Sequence, residues 1–235
     1  MACAFQTLSR STKSLVLTLA VPALALGLSG SAKAAANGAF LSHQALYELT
    51  LLKSRGSNSI SSAHGRILYS FTGSACEGYT SEFRQVSEMD NGENKVTLSD
   101  LRSTSWEDAA GKTYRFKIDS RMNDVDTGPI DGIAERVGDH ITVKLKQPQT
   151  KTFNLDGSTV FPTEQIQHII AAAKEGKSIL EQTVYDGSDN GEKVFSTLAV
   201  IGQPIRGDQT IASPDPSTEN DVMKSATRWP VTVSY

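Results

Sequence analysis

From about residue 42 onward, the chain keeps returning to a period of two. Thr113-Tyr114-Arg115-Phe116-Lys117-Ile118-Asp119 puts Tyr114, Phe116 and Ile118 on one side and charged residues on the other. That is the pattern of a half-buried strand and not of a helix face. The alternation recurs over residues 45–52, with Tyr47, Leu49 and Leu51 on one face, and again over 66–72, 80–86, 95–104, 131–137, 140–146 and 152–156. Turn-forming residues separate these segments, as in Asp90-Asn91-Gly92-Glu93-Asn94. Many short strands at even spacing predict a mainly β fold. The sheet is expected to be antiparallel and to curl on itself, since curling removes exposed edges.

The period changes once. Ile166, Ile169, Ile170 and Ala173 recur at helical spacing between Pro162 and Gly176, which predicts one amphipathic helix over about 162–176. Pro162 suits its first turn, Glu164 its positive end and Gly176 its C-terminal cap. A lone helix among strands is expected to lie within the curve of the sheet. Further on, residues 178–185 and 193–201 alternate around Asp186-Gly187-Ser188-Asp189-Asn190-Gly191. This predicts a hairpin turning at Asn190-Gly191. The chain stops at Tyr235 in mid-alternation, so the domain (35–235) is expected to continue past that residue.

The start of the chain reads as an export signal. Arg10 and Lys13 precede an apolar run from Leu15 to Leu26, and Ala32-Lys33-Ala34 carries small residues at the cleavage positions. The run is shorter than the ~20 residues of a membrane span and is interrupted by Pro22. Residues 1–34 are therefore expected to be removed, which leaves no transmembrane segment and predicts an exported protein. Without Arg10, Lys13 and Lys33, 20 basic residues remain against 26 acidic ones, a net of −6. Mild acidity argues against nucleic acid, whose binding needs clustered Lys and Arg.

Two places could carry chemistry. Cys76, in Gly73-Ser74-Ala75-Cys76-Glu77-Gly78-Tyr79, is the only cysteine left once Cys3 departs with the signal. In an oxidising compartment such a thiol is free, cross-linked or catalytic. Ser74-x-Cys76-x-Gly78 lies close to a nucleophile elbow, but an elbow leads from strand to helix and Gly78 leads into a strand. His43, His64, His140 and His168 are the bases that could serve a thiolate, and none has a telling neighbourhood. Asp186 to Glu192 looks like the start of a calcium loop, yet strands flank it and Glu192 comes too early. The residues point to no metal site, no cofactor and no phosphate-cradling loop.

Several stretches resemble the EipB family of periplasmic cell-envelope integrity proteins of alphaproteobacteria, long classed as a domain of unknown function. They are the Cys76 segment, Lys95-Val96-Thr97-Leu98-Ser99-Asp100-Leu101-Arg102-Ser103-Thr104, Ala171-Ala172-Ala173-Lys174-Glu175-Gly176-Lys177-Ser178, and Val184-Tyr185-Asp186-Gly187-Ser188-Asp189-Asn190-Gly191-Glu192-Lys193. The resemblance implies a broken, spiral β-barrel wrapped around a long helix, no established enzymatic activity and a role in envelope stability. It also implies a disulfide from Cys76 to a cysteine near the family's C-terminus, which here would lie beyond Tyr235. Ala171 to Ser178 superficially mimics a nucleotide-binding loop, but it precedes a strand where that loop opens a helix. The expected function is non-enzymatic support of the envelope, through a hydrophobic or lipid-like ligand or a periplasmic partner protein. A carrier of hydrophobic molecules is the alternative, and a thiol hydrolase using Cys76 the third reading.

Overall fold

The alternating segments become strands of two antiparallel sheets. The computed structural model describes residues 40–54, 60–92, 96–207 and 220–235. The predicted export segment, parts of the 54–62 loop and the 90–94 turn, and most of the 207–224 loop lie outside these residues. The long sheet is ordered β1 (His43–Thr50), β2 (Ser62–Ser74), β3 (Gly78–Asp90), β4 (Val96–Glu107), β5 (Thr113–Met122), β7 (Ile130–Val137), β8 (His140–Gln147) and β9 (Lys151–Asp156). The short β6 (Val125–Asp126) pairs only with β5. The sheet is not closed into a barrel: among the described residues β1 and β9 are its two ends.

The pairing register keeps one side chain per pair on a shared face across the sheet. One row runs from Tyr79 to Glu107, Tyr114, Ala134, Val143 and Phe153. The next includes Ser105, Phe116, Gly132 and Leu145. This inner face carries the larger core, which comprises Tyr114, Phe116, Ile130, Ala134, Ile141, Val143, Leu145, Phe161 and Tyr185. The rings of Tyr114 and Phe116 stack at 5.4 Å, and those of Tyr114 and Phe161 at 5.3 Å. Each buried aromatic of this kind contributes roughly 2–3 kcal/mol of apolar transfer.

After β9 comes α1 (Pro162–Lys174), then β10 (Ile179–Val184), β11 (Phe195–Ile201), the short α2 (Asp221–Ser225) and β12 (Val231–Ser234). The last three strands form the second sheet, ordered β10-β11-β12. Helix α1 lays Ile169, Ala172 and Ala173 against Ala199 and Ile201, with Leu180, Trp229 and Val233 beside them. The helix thus packs on the small sheet, while its N-terminal neighbour Phe161 enters the core of the long one.

One expectation changes here. Strands β10 and β11 do pair, from Ile179 with Val200 to Val184 with Phe195. The connection over 185–194 does turn at Asn190-Gly191, where the Gly191 N–H donates to the Ser188 carbonyl at 3.0 Å, but it is longer than a two-residue hairpin turn and lies against the core of the long sheet. Tyr185 is fully buried, and its hydroxyl donates to the Gly191 carbonyl at 2.6 Å. Tyr114 donates to the Asp186 carbonyl at 3.0 Å. Gly187 has φ +72, and a Cβ there would sit 2.3 Å from the Phe116 ring. A side chain cannot be accommodated without moving the aromatic core, so glycine is dictated by packing as much as by the backbone. Composition signals a turn at Asn190-Gly191, but it carries no information about what the turn rests on.

Candidate functional site

The turn holding Cys76 joins β2 to β3. Gly73 and Gly78 both have positive φ, at +123 and +81, and they allow the chain to reverse over Ala75, Cys76 and Glu77. The Ser74 hydroxyl accepts from the N–H groups of Cys76 at 3.4 Å and Glu77 at 3.3 Å. Cys76 itself is exposed at the tip. The turn is tied to the neighbouring hairpin by Trp106 on β4, whose indole N–H donates to the Glu77 carbonyl at 3.1 Å. The indole ring lies over Gly78, where a Cβ would come within 2.8 Å of it.

The next residue, Glu107, points to the opposite face. Its side chain is 2% exposed, and each carboxylate oxygen takes one N–H of the first turn of α1: Thr163 at 2.7 Å and Glu164 at 2.9 Å. This replaces a local cap. The residue at the N-cap position is Phe161, which has no side-chain acceptor, and the helix would otherwise leave those donors unsatisfied. The carboxylate also sits at the positive end of the helix dipole. Burial pushes Glu107 up to about 7, against the opposing pull of the N–H bonds from Thr163 and Glu164, and the nearby Glu164 carboxylate adds to the rise.

Arg136 on β7 closes the arrangement. Its guanidinium donates to Glu164 at 2.9 Å, to the carbonyls of Gly111 and Thr159 at 3.1 Å each, and to that of Gly157. It also stands 5.5 Å from the Phe161 ring centre. Trp106 and Glu107 therefore connect the Cys76 turn on one side of the sheet to the start of α1 on the other. In the sequence, Glu107 stands in the run Glu107-Asp108-Ala109-Ala110-Gly111, which reads as a solvated turn. No signal in β4 marks it: the residues in phase with it include Ser99, Ser103 and Ser105, and the apolar neighbours Tyr79 and Tyr114 come from the adjacent strands.

The structure does not gather the four histidines around Cys76. His43 lies on β1 with Nδ1 2.9 Å from the Leu41 carbonyl. His64 is at the far end of β2, about 33 Å along the strand from Ser74. His140 contacts Asp139 at 3.2 Å, and His168 on α1 contacts Gln182 Nε2 at 2.7 Å. The carboxylates of the 186–192 stretch are taken up locally: Asp186 by the Ser188 N–H, Asp189 by Lys193 at 3.4 Å and Glu192 by Lys151. Among the described residues no cluster of three or more metal-ligating side chains occurs. The nucleotide-loop mimic ends α1, with Gly176 at φ +75 and Lys177 paired to Glu175 at 2.8 Å.

An open antiparallel sheet that curls without closing, with one helix docked by a buried carboxylate, defines a β-barrel-like protein. The comparisons place it further. The sequence pattern of the EipB-like family matches residues 34–235, so the chain belongs to that family. It is 34% identical over 212 residues to the cell envelope integrity protein EipB of Brucella abortus (strain 2308), covering 89% of this chain and 72% of that protein. A crystal structure of a β-barrel-like protein of domain of unknown function DUF1849, also from Brucella abortus, superposes with a TM-score of 0.74 at 33% identity. That match covers 83% of this chain and 79% of the other. Among the described residues no helix is long and apolar enough to cross a membrane.

Proposed function

We propose that this protein is an exported, periplasmic and non-enzymatic support of cell-envelope integrity, acting through an apolar ligand or partner protein held at α1 and the inner face of the early strands. The curated relative's role in envelope integrity supports the first part. The observation that carries the second is the apolar flank of α1. Ile166 and Ile170 belong to the apolar stripe read from the sequence, yet they are 41% and 37% exposed, while Ile169 beside them is buried against the small sheet. The inner face of β1–β3 likewise carries Tyr47 exposed and Ile67, Tyr69 and Phe83 only partly buried. Apolar surface left open on a folded chain marks a place where something else binds.

Cys76 fits this reading as a bracing residue. Cys76 lies exposed on a turn fixed by Ser74, Gly78 and Trp106, a setting that suits a disulfide. The test has two arms. In the organism that encodes the chain, its deletion should sensitise cells to detergent, and the complete exported protein should restore resistance; unchanged sensitivity would overturn the envelope role. In vitro, the fluorescence of the neutral apolar probe N-phenyl-1-naphthylamine should rise with the full chain and fall for the double variant Ile166→Ser, Ile170→Ser. Equal signals from the two proteins would overturn binding at α1.

A further inference from the structure

The outer face of the long sheet bears a feature that the envelope role does not use. Every other arginine side chain on this sheet has a carboxylate partner: Arg66 with Glu48, Arg84 and Arg102 with Asp100, Arg121 with Asp126, and Arg136 with Glu164. Arg115 on β5 does not. Among the described residues its guanidinium meets only the Trp106 ring, 5.4 Å from the ring centre. The pairing register sets Trp106, Arg115 and Ile133 side by side across three strands, and Thr104, Lys117 and Asp131 in the row next to them. Together with Thr80 and Lys146 these residues line an outward-facing depression of about 510 Å³. A bulge between Asp131 and Gly132 displaces the strand at its edge, and bulges commonly re-aim a side chain at such places.

We propose that this depression is a binding site for an acidic carbohydrate, with Arg115 as the anchor for its carboxylate. The chemistry of the lining selects that class. A guanidinium held over an aromatic ring is restricted in orientation, and its in-plane N–H donors match a carboxylate in a two-pronged geometry. Lys117 and Lys146 add positive charge at the rim, only loosely offset by Asp119 at 3.4 Å and Asp131 at 3.7 Å. Asp131 is the discriminating residue, because a carboxylate in the lining opposes a multiply charged phosphate more strongly than a singly charged sugar carboxylate and accepts from sugar hydroxyls. Thr80 and Thr104 supply further hydroxyl partners, and Ile133 with the aliphatic stems of the lysines meets the apolar face of a sugar ring. The site lies on the face opposite Glu107 and the core, so it is separate from the apolar surface at α1.

Isothermal titration of the full chain with digalacturonic acid, with its neutral counterpart galactobiose and with inorganic phosphate tests the assignment. The acidic disaccharide should bind saturably and better than either of the others. Arg115→Leu should weaken it by at least about tenfold, the loss expected for one charge-assisted pair. Arg115→Lys, which keeps the charge but loses the planar fork, should fall between the two. Arg115 is exposed, so thermal melting should confirm that both variants remain folded. Binding of galactobiose as tight as that of digalacturonic acid, or an undiminished affinity in Arg115→Leu, overturns the proposal. Phosphate binding as tight as the disaccharide shows a simple anion site and overturns it equally.

Discussion

The two ends of the long sheet are built from the same alternation and end up differently. In β5, β7 and β8 the inner-facing residues Tyr114, Phe116, Ala134, Ile141, Val143 and Leu145 are almost fully buried. In β1 to β3 the equivalent face carries Tyr47, Ile67, Tyr69 and Phe83, which remain partly or largely exposed. Phe71 and Tyr79 are the exceptions, buried where their rings stack at 5.3 Å and Phe40 crosses both edge-on. Hydrophobic alternation therefore selects a face, but burial comes from what covers it. The later strands are covered by Phe161, Tyr185 and the 185–194 connection, all supplied from beyond the sheet in sequence.

This contrast should be measurable. The largest effect is expected in the core of the later strands: Phe116→Ala should cost about 3–5 kcal/mol, since it leaves a cavity among Tyr114, Tyr185 and Leu145. Phe83→Ala, on the same face of β3, should cost under about 2 kcal/mol because little new surface loses cover. Chemical denaturation of the two variants gives the comparison directly, and equal losses would break it.

The second effect concerns Glu107. Its carboxyl is raised in the fold from 4.5 to about 7, so its contribution to stability is fully present below pH 4.5. That contribution is lost as pH rises through 7, when the buried group must ionise. The swing is roughly 3 kcal/mol, since the two values differ by about 2.5 and each unit is ~1.4 kcal/mol. Other carboxylates act in the opposite sense; Asp100, held down to about 2 by hydrogen bonds from Arg84 and Arg102, is one. The readout is accordingly the difference between the native chain and Glu107→Gln across pH 4 to 8. A difference that does not change with pH would remove Glu107 as the titrating anchor of α1.

A smaller loss, about 1–3 kcal/mol, is expected for Gly187→Ala, which both strains the backbone and drives a methyl into Phe116. Gly138→Ala is the control, because Gly138 also has positive φ (+64) but nothing within 4 Å of the added methyl. The difference in thermal midpoint between these variants isolates the packing part. The smallest effect should come from Asp100→Asn on the outer face, within about 1 kcal/mol despite its two arginine partners, since such exposed pairs are screened by water. A larger loss there would show that the cross-strand charges, and not only the inner face, hold the early strands.

Much of this architecture could be read from the residues. Tyr114, Phe116 and Ile118 gave β5 and its buried face, and Pro162 to Lys174 gave α1 with Ile169 and Ala173 inward. Gly73 and Gly78 gave the turn at Cys76. What could not be read was any pairing of elements distant along the chain. Glu107 caps a helix 57 residues further on, and among the described residues Arg115 stands without a carboxylate because Trp106 and Ile133 flank it. Neither fact leaves a trace in local composition.

Order along the chain by itself determined the antiparallel β class and the amphipathic helix α1 to within two residues of its end, because a side-chain period is a property of neighbouring residues; the short α2 carries no such period. Tertiary structure alone decided which half of the sheet is covered, that Asp186 to Lys193 lies on a core, and that Ile166 and Ile170 stay open while Ile169 does not. The physical reason is that burial is set by surfaces meeting across long sequence separations. The energy of such meetings depends on shape and partner, which no single stretch of sequence contains.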